Sequence, residues 1–251
     1  MKVTIITVSF NSASTIETTL QSVVAQSDHR LQHIIIDGGS TDATLDVINR
    51  YAPIYGNRLI LISEPDHGLY DAMNKGMALA TGSVVGFLNS DDYFVHNHVV
   101  ADIITAFEQN PGLDAVYADV VYINPHRPDK ISRYYSSRRF SRGRMRLGFM
   151  PAHPTFYCRK ETLERAGRFD TRFKVAADFE YLLRIIYRDR AAIRYVPDRW
   201  VTMRSGGISN RGLKSHLAIF ADHRRAYLKH GLTAGLWLDW LRYPLRLLHL
   251  D

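Results

Sequence analysis

Residues Val3 to Phe10, VTIITVSF, form a short and almost continuous apolar run, and a helical pattern follows from about Thr15 to Ala25. The same alternation recurs along the first half of the chain. Further strands are predicted at HIIID, RLILIS and SVVGFL, and further helices at Asp42 to Tyr51, Leu69 to Ala80 and Asn97 to Glu108. Strands rich in Val, Ile and Leu that alternate with helices are typical of a parallel sheet covered on both faces. We therefore predict an α/β fold with a mostly parallel central sheet, followed by a short strand at AIRYV and two terminal helices.

Length and composition indicate one domain, or one domain with a tail. The chain has 251 residues, of which 46% are apolar, so it can bury a large core. Cys158 is the single cysteine, which excludes an intramolecular disulfide and suits a reducing compartment. The N-terminal apolar run is too short for a secretory signal, so we expect a cytoplasmic protein.

Acidic residues cluster where three of the predicted strands end. Residues 1–125 contain 5 Lys and Arg against 14 Asp and Glu, whereas residues 126–251 contain 27 against 11. Ligands of parallel α/β sheets bind beyond the carboxyl ends of the strands. The segments at those ends are Ser9-Phe10-Asn11, Asp37-Gly38-Gly39-Ser40, Glu64-Pro65-Asp66 and Asn89-Ser90-Asp91-Asp92. Because clustered carboxylates repel one another, we expect a positive partner at this edge of the sheet.

The segment FLNSDDYF, Phe87 to Phe94, contains adjacent carboxylates at Asp91 and Asp92 with no Lys or Arg nearby in the sequence. Hard oxygen ligands in a turn suit Mg²⁺ or Mn²⁺, which bind one or two carboxylates together with substrate phosphates. A polar turn that caps the following helix is the alternative. The sequence lacks both Gly-x-Gly-x-x-Gly after the first strand and a phosphate-binding Gly-x-x-x-x-Gly-Lys-Ser/Thr motif, which excludes ordinary NAD enzymes and P-loop nucleotidases.

Four segments in order resemble the successive motifs of the family 2 GT-A glycosyltransferases. They are ITVSFNSASTIETTLQSVVAQ, IIIDGGSTDAT, SEPDHGLYDAMNKGMALATG and FLNSDD. The resemblance is close from about Val3 to Ala101 and looser through HPTFYCRKETLERAGRFDTRFKVAADFEYLLR. It implies a GT-A fold with a Rossmann-like sheet and a metal-dependent, inverting transfer from a nucleotide-sugar, with bacterial surface-polysaccharide or O-antigen enzymes as the implied type.

The resemblance implies a nucleotide site at the first three strand ends. Phe10 and Asn11 would lie at the base of the nucleotide pocket, and Asp37 and Asp66 would bind the nucleoside. On local sequence alone, Asp66 also suits a β-turn in Pro-Asp-His-Gly, and Asp37 has a weaker structural explanation.

The resemblance also implies a metal site at FLNSDD. Asp91 would be the chief ligand of an Asp-x-Asp motif, with Asp92 beside it. Asn89 replaces the first acid of that motif. An asparagine can bond a ribose hydroxyl or offer a neutral oxygen, but it removes one charge from the site.

Asp178, in VAADFEYLLRI, falls where the family has its catalytic carboxylate, and Glu180 is the second candidate. Phe179, Leu182, Leu183 and Ile186 form an apolar stripe of helical spacing, so Asp178 could instead only favour the N-terminal end of an amphipathic helix.

Weaker candidates for contact with the acceptor or the diphosphate are His153, Arg204 and Ser209. His153 precedes Pro154-Thr155 and could equally be structural. Ser209 ends the segment Ser205-Gly206-Gly207-Ile208-Ser209, which could be a mobile loop or an ordinary turn.

The stretch Arg133 to Arg146, RYYSSRRFSRGRMR, is predicted to be a basic loop. The acidic first half argues against nucleic acid, whereas a phosphorylated lipid acceptor would account for arginines beside aromatic residues. The terminal segment Gly231 to Leu250 holds Trp237 and Trp240, and polar residues interrupt it, so a membrane span is not expected. It could lie at a membrane surface or pack on protein.

The sequence therefore predicts a glycosyltransferase that uses a UDP-sugar and Mn²⁺ or Mg²⁺ and acts at the cytoplasmic face of the membrane on a lipid-linked or polysaccharide acceptor. Residues 1–125 would bind the nucleotide-sugar, 126–212 would supply the acceptor and catalytic half, and 213–251 would form a helical extension. The alternatives are a catalytically decayed sugar-nucleotide-binding subunit and a nucleotidyltransferase.

Overall fold

The computed structural model describes residues 1–125, 127–205 and 213–232, with the side chains of 213–216 not described. Ser209 and most of the predicted terminal segment Gly231 to Leu250 lie outside the described residues.

Nine strands and seven α-helices make up the described chain. The strands are β1 Val3–Ser9, β2 Leu31–Asp37, β3 Leu59–Ser63, β4 Val84–Phe87, β5 Tyr93–Phe94, β6 Ala115–Asn124, β7 Arg127–Tyr135, β8 Tyr157–Arg159 and β9 Ile193–Arg204. The helices are α1 Ile16–Val24, α2 Thr44–Tyr55, α3 Leu69–Leu79, α4 Val99–Gln109, α5 Lys160–Ala166, α6 Ala177–Leu182 and α7 Leu213–Lys229. A π-helical turn, Leu183–Arg188, continues α6. The four predicted strand and helix pairs of the first half are therefore confirmed.

One sheet contains all nine strands of the described residues in the order β3-β2-β1-β4-β8-β6-β9-β5, with β7 paired to β6. The strands β3, β2, β1 and β4 are mutually parallel, and β6 is parallel to β9. Ser9, Asp37 and Ser63 lie in register at the carboxyl ends of the first three strands. Parallel pairing therefore brings the predicted ligand-binding segments to one edge of the sheet.

Alternate side chains of the parallel strands pack against helices on opposite faces. On one face, Ile6 and Ile34 lie in a core with α3 and α6; on the other, Ile5 and Ile35 lie in a core with α1, α2 and α4. Covering both faces keeps the sheet rigid, so its edge can hold a site in fixed geometry.

The basic stretch Arg133 to Arg146 differs from its predicted loop structure. Its first three residues belong to β7, an exposed strand paired antiparallel to β6, and Arg142–Leu147 forms a 3-10 helix. The strand was missed because no clear alternation of apolar and polar residues marks it. The strand predicted at AIRYV extends to Arg204, since β9 pairs with β6 over most of its length.

Candidate active site

Asp37 is the most constrained carboxylate of the site. It is fully buried and accepts hydrogen bonds from the hydroxyls of Ser9 (3.0 Å), Ser40 (2.5 Å) and Ser63 (2.8 Å) and from the backbone N–H groups of Gly39 (3.2 Å) and Ser40 (2.9 Å). Burial alone would raise the pKa of Asp37, but these hydrogen bonds outweigh it and hold the pKa below its ordinary value. Asp37 therefore links the ends of β1, β2 and β3 through hydrogen bonds, and its predicted contact with the nucleoside stays a prediction.

Asp66 lies close to the backbone of Gly38. A Cβ atom built on Gly38 would lie 2.6 Å from Asp66 Oδ2, so only glycine leaves room for this carboxylate. Asp66 Oδ1 accepts the N–H of Gly68 at 2.7 Å, and the side chain is half-buried. Asp66 therefore sits beside the end of β2, where the sequence placed a nucleoside contact.

Phe10 and Asn11 follow β1 at the same edge. The Phe10 side chain is 63% exposed, which leaves an aromatic face open at the predicted nucleotide pocket. Asn11 has a left-handed φ of 49°, and its Oδ1 accepts the N–H of Thr41 at 2.9 Å. Strained backbone of this kind is found preferentially at functional sites. Asn11 here holds the loop after β2 in place.

Arg204 supplies the cation that the local sequence of FLNSDDYF lacks. From the end of β9 it donates to the backbone carbonyl of Asp91 (2.7 Å) and to Thr18 Oγ1 (3.1 Å), and its guanidinium lies 5.4 Å from the ring centroid of Tyr93. Burial raises the pKa of Asp91, and the positive charge of Arg204 partly opposes that shift. The role of Arg204 at the acceptor or diphosphate stays a prediction. Its observed role is to fix the loop that carries Asp91.

Two oxygens beside Asp91 suit a divalent cation. Asn89 Oδ1 and Asp92 Oδ2 are buried, and neither has a hydrogen-bond partner among the described residues. Asp92 is 1% exposed, and burial together with the charge of Asp91 raises its pKa well above the ordinary value. Unpaired buried acceptors are uncommon in proteins and call for a partner. Carboxylate and amide oxygens are the ligands that Mg²⁺ and Mn²⁺ prefer, so this donor set fits the predicted metal.

A second group of possible metal ligands, His96, Asp102 and Asp198, lies elsewhere. Asp198 is about 20 Å from Arg204 along β9, given a rise of about 3.3 Å per strand residue. His96 Nδ1 accepts the N–H of His98 at 3.2 Å, which places a proton on Nε2, 2.9 Å from Asp198 Oδ2. That nitrogen donates a hydrogen bond, so the group is better described as a histidine and carboxylate pair.

Asp178 occupies the first turn of α6 and is half-buried. Its Oδ1 accepts the N–H of Phe179 at 2.8 Å and lies 3.5 Å from the hydroxyl of Tyr70. Burial and the charge of Asp178 raise the pKa of Tyr70 well above its ordinary value, so that hydroxyl keeps its proton. Oδ1 of Asp178, its inner oxygen, is therefore held in place. Oδ2, its outer oxygen, is open.

His153 connects Asp178 with the end of β4. Its ring stacks on Phe87 at a centroid distance of 5.3 Å, and it is 9% exposed. Burial lowers the pKa of His153, while the charge of Asp178 opposes that shift. The ring is accordingly neutral at neutral pH. Because Phe87 ends β4, four residues before Asp91, Asp178 belongs to the same region as the predicted metal loop.

Glu180 is unsuited to the role of an alternative base. It is fully buried, forms an ion pair with Arg184 (2.9 Å), and accepts hydrogen bonds from Lys229 (2.8 Å) and His230 (2.8 Å). Burial would raise the pKa of Glu180, but hydrogen bonds from His230 and Lys229 and the charge of Arg184 lower it overall. The two acids of α6 therefore differ: Asp178 is open, and Glu180 joins α6 to α7.

Sequence reasoning missed several residues that hold the segment leading to Asp178. Tyr70 donates to the carbonyl of Val175 at 2.6 Å, and Asn74 bonds both backbone groups of Phe169, at 2.8 and 3.0 Å. Both lie in the segment LYDAMNKG, which the sequence had marked only as part of a family motif. Asp222, on α7, gave no sequence signal.

Comparisons with known protein sequences agree with the family resemblance that the sequence motifs showed. The profile described as Glycosyl transferase family 2 matches residues 4–164. A "PGL/p-HBAD biosynthesis glycosyltransferase" of Mycobacterium bovis is 30% identical over 192 residues, which cover 76% of this chain and 72% of the relative.

Among solved structures, Staphylococcus aureus TarS 1-349 in complex with UDP-GlcNAc has a TM-score of 0.73 at 18% identity, covering 97% of this chain and 72% of TarS. The mannosyltransferase PcManGT of Pyrobaculum calidifontis, in complex with GDP-Man and Mn²⁺, has a TM-score of 0.66 at 21% identity, covering 94% of this chain and 69% of that one. These likenesses confirm the predicted GT-A fold.

Proposed function

Because the chain belongs to glycosyl transferase family 2 and is a glycosyltransferase that uses a nucleotide-sugar donor, we propose that it transfers a sugar from a UDP-sugar with inversion, using a divalent metal. One observation carries this proposal. An open carboxylate, Asp178, acts electrostatically on His153, whose ring stacks on Phe87 at the end of β4, and the unpaired oxygens around Asp91 follow that strand end. A displacement at an anomeric carbon needs a base on the acceptor side and charge stabilisation on the leaving-group side.

Asp178 would remove the proton of the acceptor hydroxyl as that oxygen attacks, and the proton would rest on the outer oxygen of the carboxylate. The backbone N–H of Phe179 orients Oδ1, the inner oxygen. Asp91, with Asn89 and Asp92, would hold Mn²⁺ or Mg²⁺. Such an ion supplies positive charge to the departing diphosphate. Arg204 keeps the loop of Asp91 fixed throughout.

UDP is the proposed nucleotide, and the complex of TarS with UDP-GlcNAc supports this choice. The complex of PcManGT with GDP-Man and Mn²⁺ makes GDP the necessary comparison and supports a metal requirement. A calorimetric titration with UDP, GDP, UDP-GlcNAc and GDP-mannose, each with and without Mn²⁺, tests both points. We expect binding of UDP and its sugar only with metal. A preference for GDP would overturn the choice of UDP as the nucleotide. Equal binding without Mn²⁺ would overturn the metal requirement.

We propose a lipid-linked glycan acceptor at the cytoplasmic face of the membrane, in cell-surface glycan synthesis. Its support is the exposed basic surface formed by Arg133, Arg142 and Arg146. The contacts of these side chains include neutral groups: Arg133 lies over tyrosine rings, Arg142 donates to the Ala191 carbonyl, and Arg146 donates to the Tyr187 hydroxyl. No helix among the described residues is long and apolar enough to cross a bilayer.

Sedimentation with phosphatidylcholine vesicles, with and without phosphatidylglycerol, tests the membrane surface. We expect the full chain to sediment with the anionic vesicles and a chain ending at Leu232 to sediment less. Equal sedimentation of the two chains would remove the terminal segment from membrane binding.

Asn89 favours one second candidate, a sugar-nucleotide-binding subunit with a decayed site. That candidate predicts nucleotide binding without turnover. Release of UDP from UDP-GlcNAc by the wild-type chain would exclude it, and Asn89→Asp would be expected to raise metal affinity under either proposal.

A further inference from the structure

Helix α7 and the segment that carries Asp178 both follow residue 164, where the match to the family profile ends, and the two contact each other. Asp222 Oδ2 accepts two successive backbone N–H groups, those of Val175 (3.0 Å) and Ala176 (3.1 Å). Ala176 is the residue that immediately precedes α6. A carboxylate from a distant helix thus bonds the backbone directly before the catalytic helix.

Val175 is held on both sides of the chain. Its carbonyl accepts the hydroxyl of Tyr70 on α3 at 2.6 Å, while its N–H donates to Asp222 on α7. Two helices packed on the same core therefore fix one residue between them. Asp178 follows Val175 by three positions, and the same Tyr70 hydroxyl lies 3.5 Å from its carboxylate.

The rest of α7 is anchored so that Asp222 cannot easily move. The ring of His223 stacks on Phe179 at 3.9 Å between centroids and 14° between planes. At the other end of the helix, Lys229 and His230 bond the fully buried Glu180. Phe179 and Glu180 flank Asp178 in α6, so α7 contacts both neighbours of the proposed base.

We propose that Asp222 is a positioning residue for glycosyl transfer, which sets the direction of Asp178 by holding the backbone of Val175 and Ala176. The proposal rests on the proposed function, in which Asp178 is the base. General base catalysis requires the carboxylate within hydrogen-bond reach of the acceptor hydroxyl, and misplacement by about 1 Å can cost a factor of about 100 in rate. In this proposal Asp222 acts through the backbone of Val175 and Ala176 and not on the reacting atoms.

The test compares Asp222→Ala with Asp222→Asn. Asparagine keeps one carbonyl oxygen that can accept both N–H groups, whereas alanine removes the acceptor and leaves two backbone donors unpaired. Arg224→Ala is the matched control, because it removes an exposed charge from the same helix. The measured quantities are kcat and KM for UDP release from UDP-GlcNAc, and the Kd of UDP with Mn²⁺.

For Asp222→Ala we expect kcat to fall roughly 10- to 100-fold, with the donor KM and the Kd of UDP within about twofold of wild type. Asp222→Asn should restore kcat to within about threefold, and Arg224→Ala should match wild type. Equal loss in the alanine and asparagine variants, or a loss of UDP affinity that parallels the loss of kcat, would overturn the proposal.

Hydrogen exchange of the peptide that spans Val175 and Ala176 tests the bonds independently of activity. Exchange should accelerate in Asp222→Ala and stay slow in Asp222→Asn. If the wild-type protein shows no turnover of any UDP-sugar, the proposed function fails. The exchange result still shows whether Asp222 holds the N–H groups of Val175 and Ala176. Should Asp222→Ala not fold, Tyr70→Phe removes the opposite bond to Val175, and an unchanged kcat there would refute positioning through this residue.

Discussion

Replacing Arg204 with glutamine tests whether the loop of Asp91 depends on a cation from β9. The change removes a charged hydrogen bond to the Asp91 carbonyl, a second one to Thr18 Oγ1, and the contact with the Tyr93 ring. A hydrogen bond to a charged group contributes about 1.5–3 kcal/mol, and a cation–π contact at a partly exposed site contributes about 0.5–1 kcal/mol. Because glutamine can recover part of the bonding, we expect a net loss of about 2 kcal/mol.

Two effects should follow in Arg204→Gln. A loss of about 2 kcal/mol corresponds to a fall in Tm of about 4–8 °C for a chain of this size. The Kd of UDP with Mn²⁺ should rise at least about tenfold, because the freed loop no longer presents Asp91 in one position, and about 1.4 kcal/mol changes an equilibrium tenfold.

Differential scanning calorimetry and isothermal titration supply the two readouts. Arg194→Gln is the control, since Arg194 lies on the same strand with an exposed side chain. If both variants bind UDP and Mn²⁺ with the same affinity, Arg204 does not support the metal loop, and the reasoning from its contacts is refuted.

Four further changes test other parts of the site and its frame. Asp178→Asn should abolish turnover while UDP still binds in a titration; turnover within a factor of ten of wild type would reassign the base. Gly38→Ala should weaken nucleotide binding at least tenfold by displacing Asp66, with Tm as the control for misfolding. Glu180→Gln should cost about 3 kcal/mol in urea unfolding at pH 7. Because the folded pKa of Glu180 is lowered, that difference should shrink as the pH falls below 4.5, and a pH-independent difference would contradict it. Burial lowers the pKa of His33 to about 3 from 6.5, so the unfolded chain takes up a proton first on acidification. Wild-type stability should therefore fall by up to about 1.4 kcal/mol per pH unit from pH 6.5 towards 3 at this residue, a slope that is absent in His33→Gln.

The parallel half of the fold could be predicted because its signals are local. Each strand such as Val3–Ser9 is an almost continuous apolar run, and each following helix repeats its apolar residues at helical spacing. Edge strand β7 carried no such signal. Its nine residues are mostly exposed, three of them are basic, and only pairing with β6 makes them a strand.

The sequence indicated which candidate residues lie at strand ends, but not which distant side chains hold them there. Asp37 was correctly placed at a strand end, yet its burial depends on Ser9 and Ser63 from the neighbouring strands. The cation beside Asp91 comes from Arg204, which is 113 residues away in the chain. A contact at that separation depends on the pairing of β9 with β6, which no local pattern encodes.

The anchoring of α7 has a consequence for protein engineering. A chimera joined to a relative between α6 and α7 would separate two helices that contact each other directly. Such a junction would pair Phe179 and Glu180 with a foreign helix. The interchangeable module is instead the stretch around Asp178 together with α7, transplanted as one piece.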